Sequence, residues 1–146
     1  MDRRQAILGV SAASLALLTA SAGAEVPHQH TRGATKFKAL IDSASDCVKT
    51  GNACAAHCVT LFSQGDKEMA VCQSTVMQTV AICAALQQLA SLDSPHLLKV
   101  ATAARDICLA CEAECRKHES KHSVCTDCGD ACAACAKHCE ALSTAA

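Results

Sequence analysis

An all-α fold, an antiparallel up-down-up-down four-helix bundle with a cysteine-lined core, is what this sequence predicts, and three observations carry the expectation. Four stretches rich in Ala, Leu, Gln, Lys and Glu are separated by short breaks containing Gly, Asp, Ser and Pro. Within those stretches Cys recurs at spacings of three and four residues, which keeps it on one face of a helix. Aromatic residues are almost missing: there is no Trp and no Tyr, only Phe37 and Phe62, so an aromatic core cannot be built. At 146 residues the chain suits one domain with one core.

Residues 1–24 read as a removable leader. Arg3 and Arg4 precede an apolar run from Ala6 to Leu18, and Ala22-Gly23-Ala24 places small residues where a signal peptidase reads them. The paired arginines resemble a twin-arginine export signal, although Ala6 stands where a larger residue is common. Export is therefore expected, to a periplasmic location. Folded export suits a chain with 13 cysteines, because thiols buried beforehand are protected from random oxidation. The apolar run is too short to span a bilayer, and no later segment is expected to be long enough, so no membrane insertion of the mature chain is foreseen. Residues 25–35, with Pro27, Gly33, His28 and His30, read as a flexible polar arm.

The bundle domain, 36–146, then follows element by element. A first helix is expected from about Lys36 to Phe62, ended by Gly65; a second starts at Asp66 as N-cap and runs to about Leu92. Ser94 with Pro95 opens the third, which reaches about His118, and Ser123 caps the fourth up to about Leu142. Breaks this short favour antiparallel neighbours. Gly51 and Gly129 fall inside proposed helices and cost about 1 kcal/mol each relative to Ala, which counts against unbroken helices there. Phe37, Leu40, Ile41, Leu86, Leu89, Leu97, Leu98 and Leu142 all come to one end in this topology and form an apolar plug.

Cysteine occupies the remaining inward positions. The fourth helix carries Cys125, Cys128, Cys132, Cys135 and Cys139, an alternation of three and four that is the a/d seam of a heptad. Cys108, Cys111 and Cys115 continue the pattern in the third. Cys47, Cys54 and Cys58 lie on the first, and Cys72 and Cys83, three turns apart, on the second. All 13 thus point inward and line one continuous tube. A disulfide framework does not suit them: the number is odd, and the spacing makes rows along helices in place of cross-links between distant loops. Leu or Ile would bury far more apolar area than Cys at the same positions, so the seam is chosen for its sulfur.

Thiolate is a soft ligand that selects Cu(I), Zn(II) or iron–sulfur clusters. Structural zinc needs four ligands in a tetrahedron, usually on turns, whereas pairs at i and i+3 or i+4 on a helix bracket an ion that accepts two sulfurs nearly in line, as Cu(I) does. One Cu(I) per thiolate, with each sulfur bridging two metals, leaves a dry interior neutral, which predicts about 13 ions per chain. Metal ligation by all 13 cysteines is expected, with His57, Met69, His118 and His122 as candidates for an admission site at the end opposite the plug.

The stretches Cys54-Ala-Ala-His57-Cys58, Cys108-Leu-Ala-Cys111-Glu-Ala-Glu-Cys115 and the run from Cys125 to Cys139 resemble the bacterial copper storage proteins, in particular their exported branch. The resemblance spans nearly all of the mature chain. It implies a four-helix bundle that assembles as a homotetramer and holds many Cu(I) ions in its core; with no paired carboxylates near a candidate nucleophile and no glycine loop for phosphate, enzymatic activity is not expected. It also implies His and several Met at an open mouth; His57 and Met69 fit, while Leu61 and Gln64 stand where further Met is expected. A zinc or general soft-metal thiolate buffer is the alternative. An iron–sulfur protein is disfavoured, because the C-x2-C-x3-C-x2-C-x3-C series differs from ferredoxin spacing. Nucleic acid is not an expected partner: Lys+Arg 13 against Asp+Glu 14 leaves a net charge of -1, with no basic face and no aromatic platform. The sequence names neither the protein that delivers the copper nor the one that receives it.

Overall fold

The computed structural model describes residues 36–144, so the expected leader and the arm with His28 and His30 lie outside the described residues. Four helices follow one another: α1 Lys38–Ser63, α2 Ala70–Ser91, α3 Leu97–Arg116 and α4 Ser123–Thr144. Each packs on its sequence neighbours, and α4 closes the ring on α1. Ion pairs mark the up-down-up-down order at both ends. Lys36, before α1, meets Asp93, after α2, at 3.0 Å, and at the other end Lys121 meets Glu68 at 3.6 Å. Exposed pairs of this kind mark adjacency and contribute little stability.

Helix ends follow local chemistry more than the expected caps. α1 closes in a Schellman motif: Gly65, at φ 87, donates to the Phe62 carbonyl at 3.0 Å, and the Asp66 N–H reaches Leu61 O at 3.1 Å. α2 ends the same way with Asp93, at φ 48, in the left-handed position, its N–H on Ala90 O and that of Ser94 on Leu89 O. Asp tolerates this conformation better than most residues with a Cβ. Asp66 and Ser94 are not helix N-caps. Each accepts the N–H two residues on, from Glu68 at 2.9 Å and His96 at 3.2 Å, and so makes a turn that delays the helix. Ser123 is likewise the first residue of α4 and not its cap.

Neither internal glycine breaks its helix. A Cβ on Gly51 would stand 2.7 Å from Val80 Cγ2, so the missing side chain lets α2 close onto α1. At Gly129 the added atom would meet the Arg116 guanidinium at 3.4 Å. That guanidinium ties α3 to α4 through Asp130 at 2.8 Å. Helix propensity is given up at both places for close packing.

The plug forms largely as expected. Leu40, Leu86 and Leu97 are buried, and Phe37, Ile41, Leu89 and Leu142 pack against them. Leu98 is the exception, 40% exposed, because one residue after Leu97 is about 100° round the helix and faces outward. α2 overturns another expectation: at 22 residues, with a mean hydropathy of 1.2 in its most apolar window, it is long and apolar enough by length and composition to cross a membrane. The reason is that Ala70–Ser91 holds no charged residue. Its inner face nevertheless builds the bundle core with Cys72, Val76, Thr79, Cys83, Leu86 and Ala90, while Val71 and Met77 remain exposed.

Candidate metal centre

All 13 cysteines are completely buried and none is in a disulfide. The heptad seam explains this directly. Positions alternating by three and four stay on the inward stripe of a helix, and four such stripes meet along one axis.

The sulfurs gather into four groups, the last three overlapping, whose members lie within 4.8 Å of one another: Cys47, Cys83, Cys108 and Cys135; Cys54, Cys58 and Cys72; Cys54, Cys115 and Cys128; and Cys111, Cys128 and Cys132. Cys54 and Cys128 each belong to two groups and join them. Cys125 stands 4.0 Å from Cys54, Cys139 interacts with Cys135, and Cys132 interacts with Cys108 and Cys47, which ties the first group to the rest. Sulfur thus runs unbroken from the mouth to the plug. Pairs approach to 3.6 Å (Cys83–Cys108) and 3.8 Å (Cys54–Cys72), far from the ~2.05 Å of a disulfide and within the roughly 4.6 Å that two metal–sulfur bonds of ~2.3 Å can span.

Spacing along one helix did not reveal the first of these groups. Cys47, Cys83, Cys108 and Cys135 come from four different helices, so four thiols do converge here, and geometry alone does not exclude zinc. Charge discriminates instead. Zn(II) on four thiolates leaves two negative charges in a buried site, whereas one Cu(I) per thiolate leaves none.

Burial governs the empty core. It is the main cause pushing the Cys58 thiol up to about 11 and that of Cys125 up to about 12, both also opposed by charge on Cys54. The neutral thiol is therefore the resting form at these positions. Should Cys54 lose its proton, neighbouring thiols, Cys115 first and then Cys128 and Cys72, donate to it and hold its pKa far down. A core of mutually bonding thiols is thus ready to give up protons to an incoming soft cation.

At the mouth, His57 and His122 come together, Nε2 to Nδ1 at 3.0 Å with tilted rings 4.8 Å apart. His57 is one residue before Cys58, and His122 three before Cys125. Met69 lies at the same end but is only 1% exposed, packed under the mouth and not on its rim. His118 does not join the pair: its side chain is 15% exposed and its Nε2 meets Glu114 Oε1 at 3.3 Å. Glu114, buried and also held by Lys117, escaped the sequence reading, although Glu114 and His118 stand four residues apart on one helix face. Its carboxyl is held below the usual carboxylate range, first by Lys117 and also by His118. Leu61 and Gln64, where Met is expected by resemblance, lie at the end of α1 and in the turn after it.

The fold and site define a class, four-helix bundles whose core is a continuous array of thiols suited to soft metal ions. The chain belongs to the copper storage protein family: the family model described as "Csp: Copper storage protein" matches residues 33–144. It is 31% identical over 105 residues to the uncharacterized cysteine-rich protein YhjQ of Bacillus subtilis (strain 168), covering 72% of this chain and 94% of that protein. Among solved structures it is similar to apo copper storage protein 3 of Bacillus subtilis, with a TM-score of 0.64 and 30% identity over 73% of this chain and 97% of that one. A Cu(I)-bound copper storage protein, BsCsp3, matches with a TM-score of 0.63 and 28% identity over 79% and 99%.

Proposed function

We propose that this chain stores Cu(I) as a thiolate cluster inside the bundle, with about one ion per cysteine and all 13 cysteines as ligands. The observation that carries the reading is the unbroken array of buried thiols from mouth to plug. Storage is read in preference to turnover, since a dry interior filled with bridging ligands holds its cargo and offers no room for a second reactant. Zinc binding remains the competing reading for the four-helix sulfur group, and buried charge weighs against it. Two further parts belong to the same reading. The arginine-bearing leader supports export to the periplasm. The uncharged outer face of α2, with Val71 and Met77 exposed, supports assembly with further copies of the chain as a homotetramer.

One preparation tests all of this. Protein recovered from the periplasmic fraction is reduced, offered Cu(I) and Zn(II) together in excess, and passed through a sizing column with light scattering and metal analysis. The expected result is a four-chain mass carrying copper in large excess over zinc. Zinc as the principal metal would favour the buffer reading, a single-chain mass would remove the tetramer, and recovery only in the cytoplasm would remove export.

Copper is proposed to pass through the mouth at His57, His122 and Met69, with His118 and its partner Glu114 beside them. Imidazole and thioether hold Cu(I) less firmly than thiolate, so an ion caught there is handed inward to Cys54, Cys58 and Cys72. His57→Ala combined with Met69→Leu removes both ligands while keeping the buried volume at Met69. Stopped-flow loading and removal by a chelator are expected to slow by about tenfold, the effect of roughly 1.4 kcal/mol on the barrier, with capacity unchanged. Rates equal to those of the parent would place the door elsewhere.

A further inference from the structure

Thr79 is a hydroxyl in the wrong company. It is fully buried on the inner face of α2 between Cys72 and Cys83, and its Oγ1 has no hydrogen-bond partner. Many other helical hydroxyls in this chain bond back to a carbonyl four residues earlier, as Ser45, Thr50, Thr60, Ser91 and Thr102 do. Thr75, one turn before Thr79, bonds to Cys72 O at 3.0 Å. Thr79 does not take that option. Burying a hydroxyl unpaired is unfavourable, and Val would fill nearly the same shape without the penalty.

Its place in the tube explains what the hydroxyl faces. Three of the sulfur groups draw on α1, α2 or both, but Cys111, Cys128 and Cys132 come from α3 and α4 alone. On the other side α1 contributes Gly51, onto which Val76 and Val80 close. The tube therefore has a waist, sulfur on one wall and apolar groups on the other, and Thr79 supplies the polar atom of the apolar wall. Cys83 of α2 meets Cys108 of α3 at 3.6 Å, and four residues back along α2 with three forward along its antiparallel neighbour α3 bring Thr79 level with Cys111. A thiol is a weak acceptor for such a donor. A thiolate is a strong one.

We propose that Thr79 is a positioning residue of the store, whose hydroxyl donates a hydrogen bond to the Cys111 sulfur once that sulfur is a copper-bound thiolate. The inference rests on the copper-storage reading. Its consequence is a difference between states: the hydroxyl is a liability in the empty bundle and is satisfied in the filled one, so it favours loading. A merely structural Thr would affect both states alike.

The test compares Thr79→Val, Thr79→Ser and Thr79→Ala with the parent by melting of the metal-free proteins and by competition of the copper-loaded proteins against a graded Cu(I) chelator. Metal-free Thr79→Val is expected to melt at or above the parent temperature. When loaded, part of its copper should be lost at about tenfold lower chelator strength, the factor expected for one hydrogen bond to a charged acceptor. Thr79→Ser, which keeps the donor, should follow the parent in the competition. Thr79→Ala against Thr79→Ser makes the same comparison without the Val side chain, should that variant fold poorly. Identical chelator curves for Val and parent, or equal losses for Ala and Ser, would overturn the proposal and leave storage intact. A parent protein that takes up no copper would overturn storage itself, and this inference with it.

Discussion

Titrated anaerobically with Cu(I), the reduced protein is expected to saturate near 13 equivalents per chain, one for each cysteine. Every thiol is fully buried, so a charge left on any sulfur would stand in a medium that cannot solvate it. Copper in equal number with thiolate removes that charge. Fewer ions would leave thiolates bare or thiols still protonated, and more would leave net positive charge inside. The protons must go somewhere. With Cys58 at about 11 and Cys125 at about 12, those thiols are neutral near pH 7, so each ion bound there expels a proton. At Cys58 and Cys125 loading should thus release about one proton per copper, and acid should weaken binding there by up to about tenfold per pH unit for each such thiol. Absorption of the sulfur-to-copper transition, undisturbed by Trp or Tyr, follows the ions, and a weakly buffered titration follows the protons. Saturation near four equivalents would instead match one ion for each of the four sulfur groups and would defeat the continuous cluster.

The parts of this molecule that repeat along a helix were legible in the chain. The seam from Cys125 to Cys139 follows a period of 3.5, and any helix carrying it must present the five sulfurs to one neighbour; all are buried. Topology likewise followed from breaks at Gly65, at Ser94 and between His118 and Ser123 that are too short for anything but antiparallel neighbours. What the chain did not disclose depends on other segments. The meeting of His57 with His122 joins residues 65 apart, and the sulfur group of Cys47, Cys83, Cys108 and Cys135 has one member on each helix. Helix starts were misplaced because Asp66 and Ser94 carry the right side chains for a cap but bond an N–H two residues on, in a turn. Thr79 was readable in principle. It stands seven residues after Cys72 and four before Cys83, on the same seam, but a search that follows only sulfur passes over a hydroxyl.

Replacing Leu86 by Ala is expected to destabilise the metal-free protein by about 2–5 kcal/mol while leaving its copper capacity unchanged. Leu86 is among the largest fully buried side chains, at the end of α2 where the plug closes the bundle, and it touches no part of the mouth. Without metal, most of the core consists of small groups: thiols, Ala44, Ala90, Ala101 and Ala104, with Val76 and Thr79, and Met69 fills the opposite end. Such side chains bury little area each, so a large share of apo stability rests on the few leucines of the plug. Circular dichroism of the reduced, metal-free parent should therefore show strong helix with a cooperative melt, and Leu86→Ala should lower that melt by well over ten degrees for a domain near 100 residues. Copper changes the balance. Ions that bind the folded bundle and not the unfolded chain add stability in proportion to the logarithm of their concentration over the dissociation constant, summed over many sites. The filled variant should then melt far above its own empty form and retain its full complement of copper. A parent protein without helix in the absence of metal would show that copper builds the bundle, and a variant that loses capacity along with stability would show that the plug and the store are one unit.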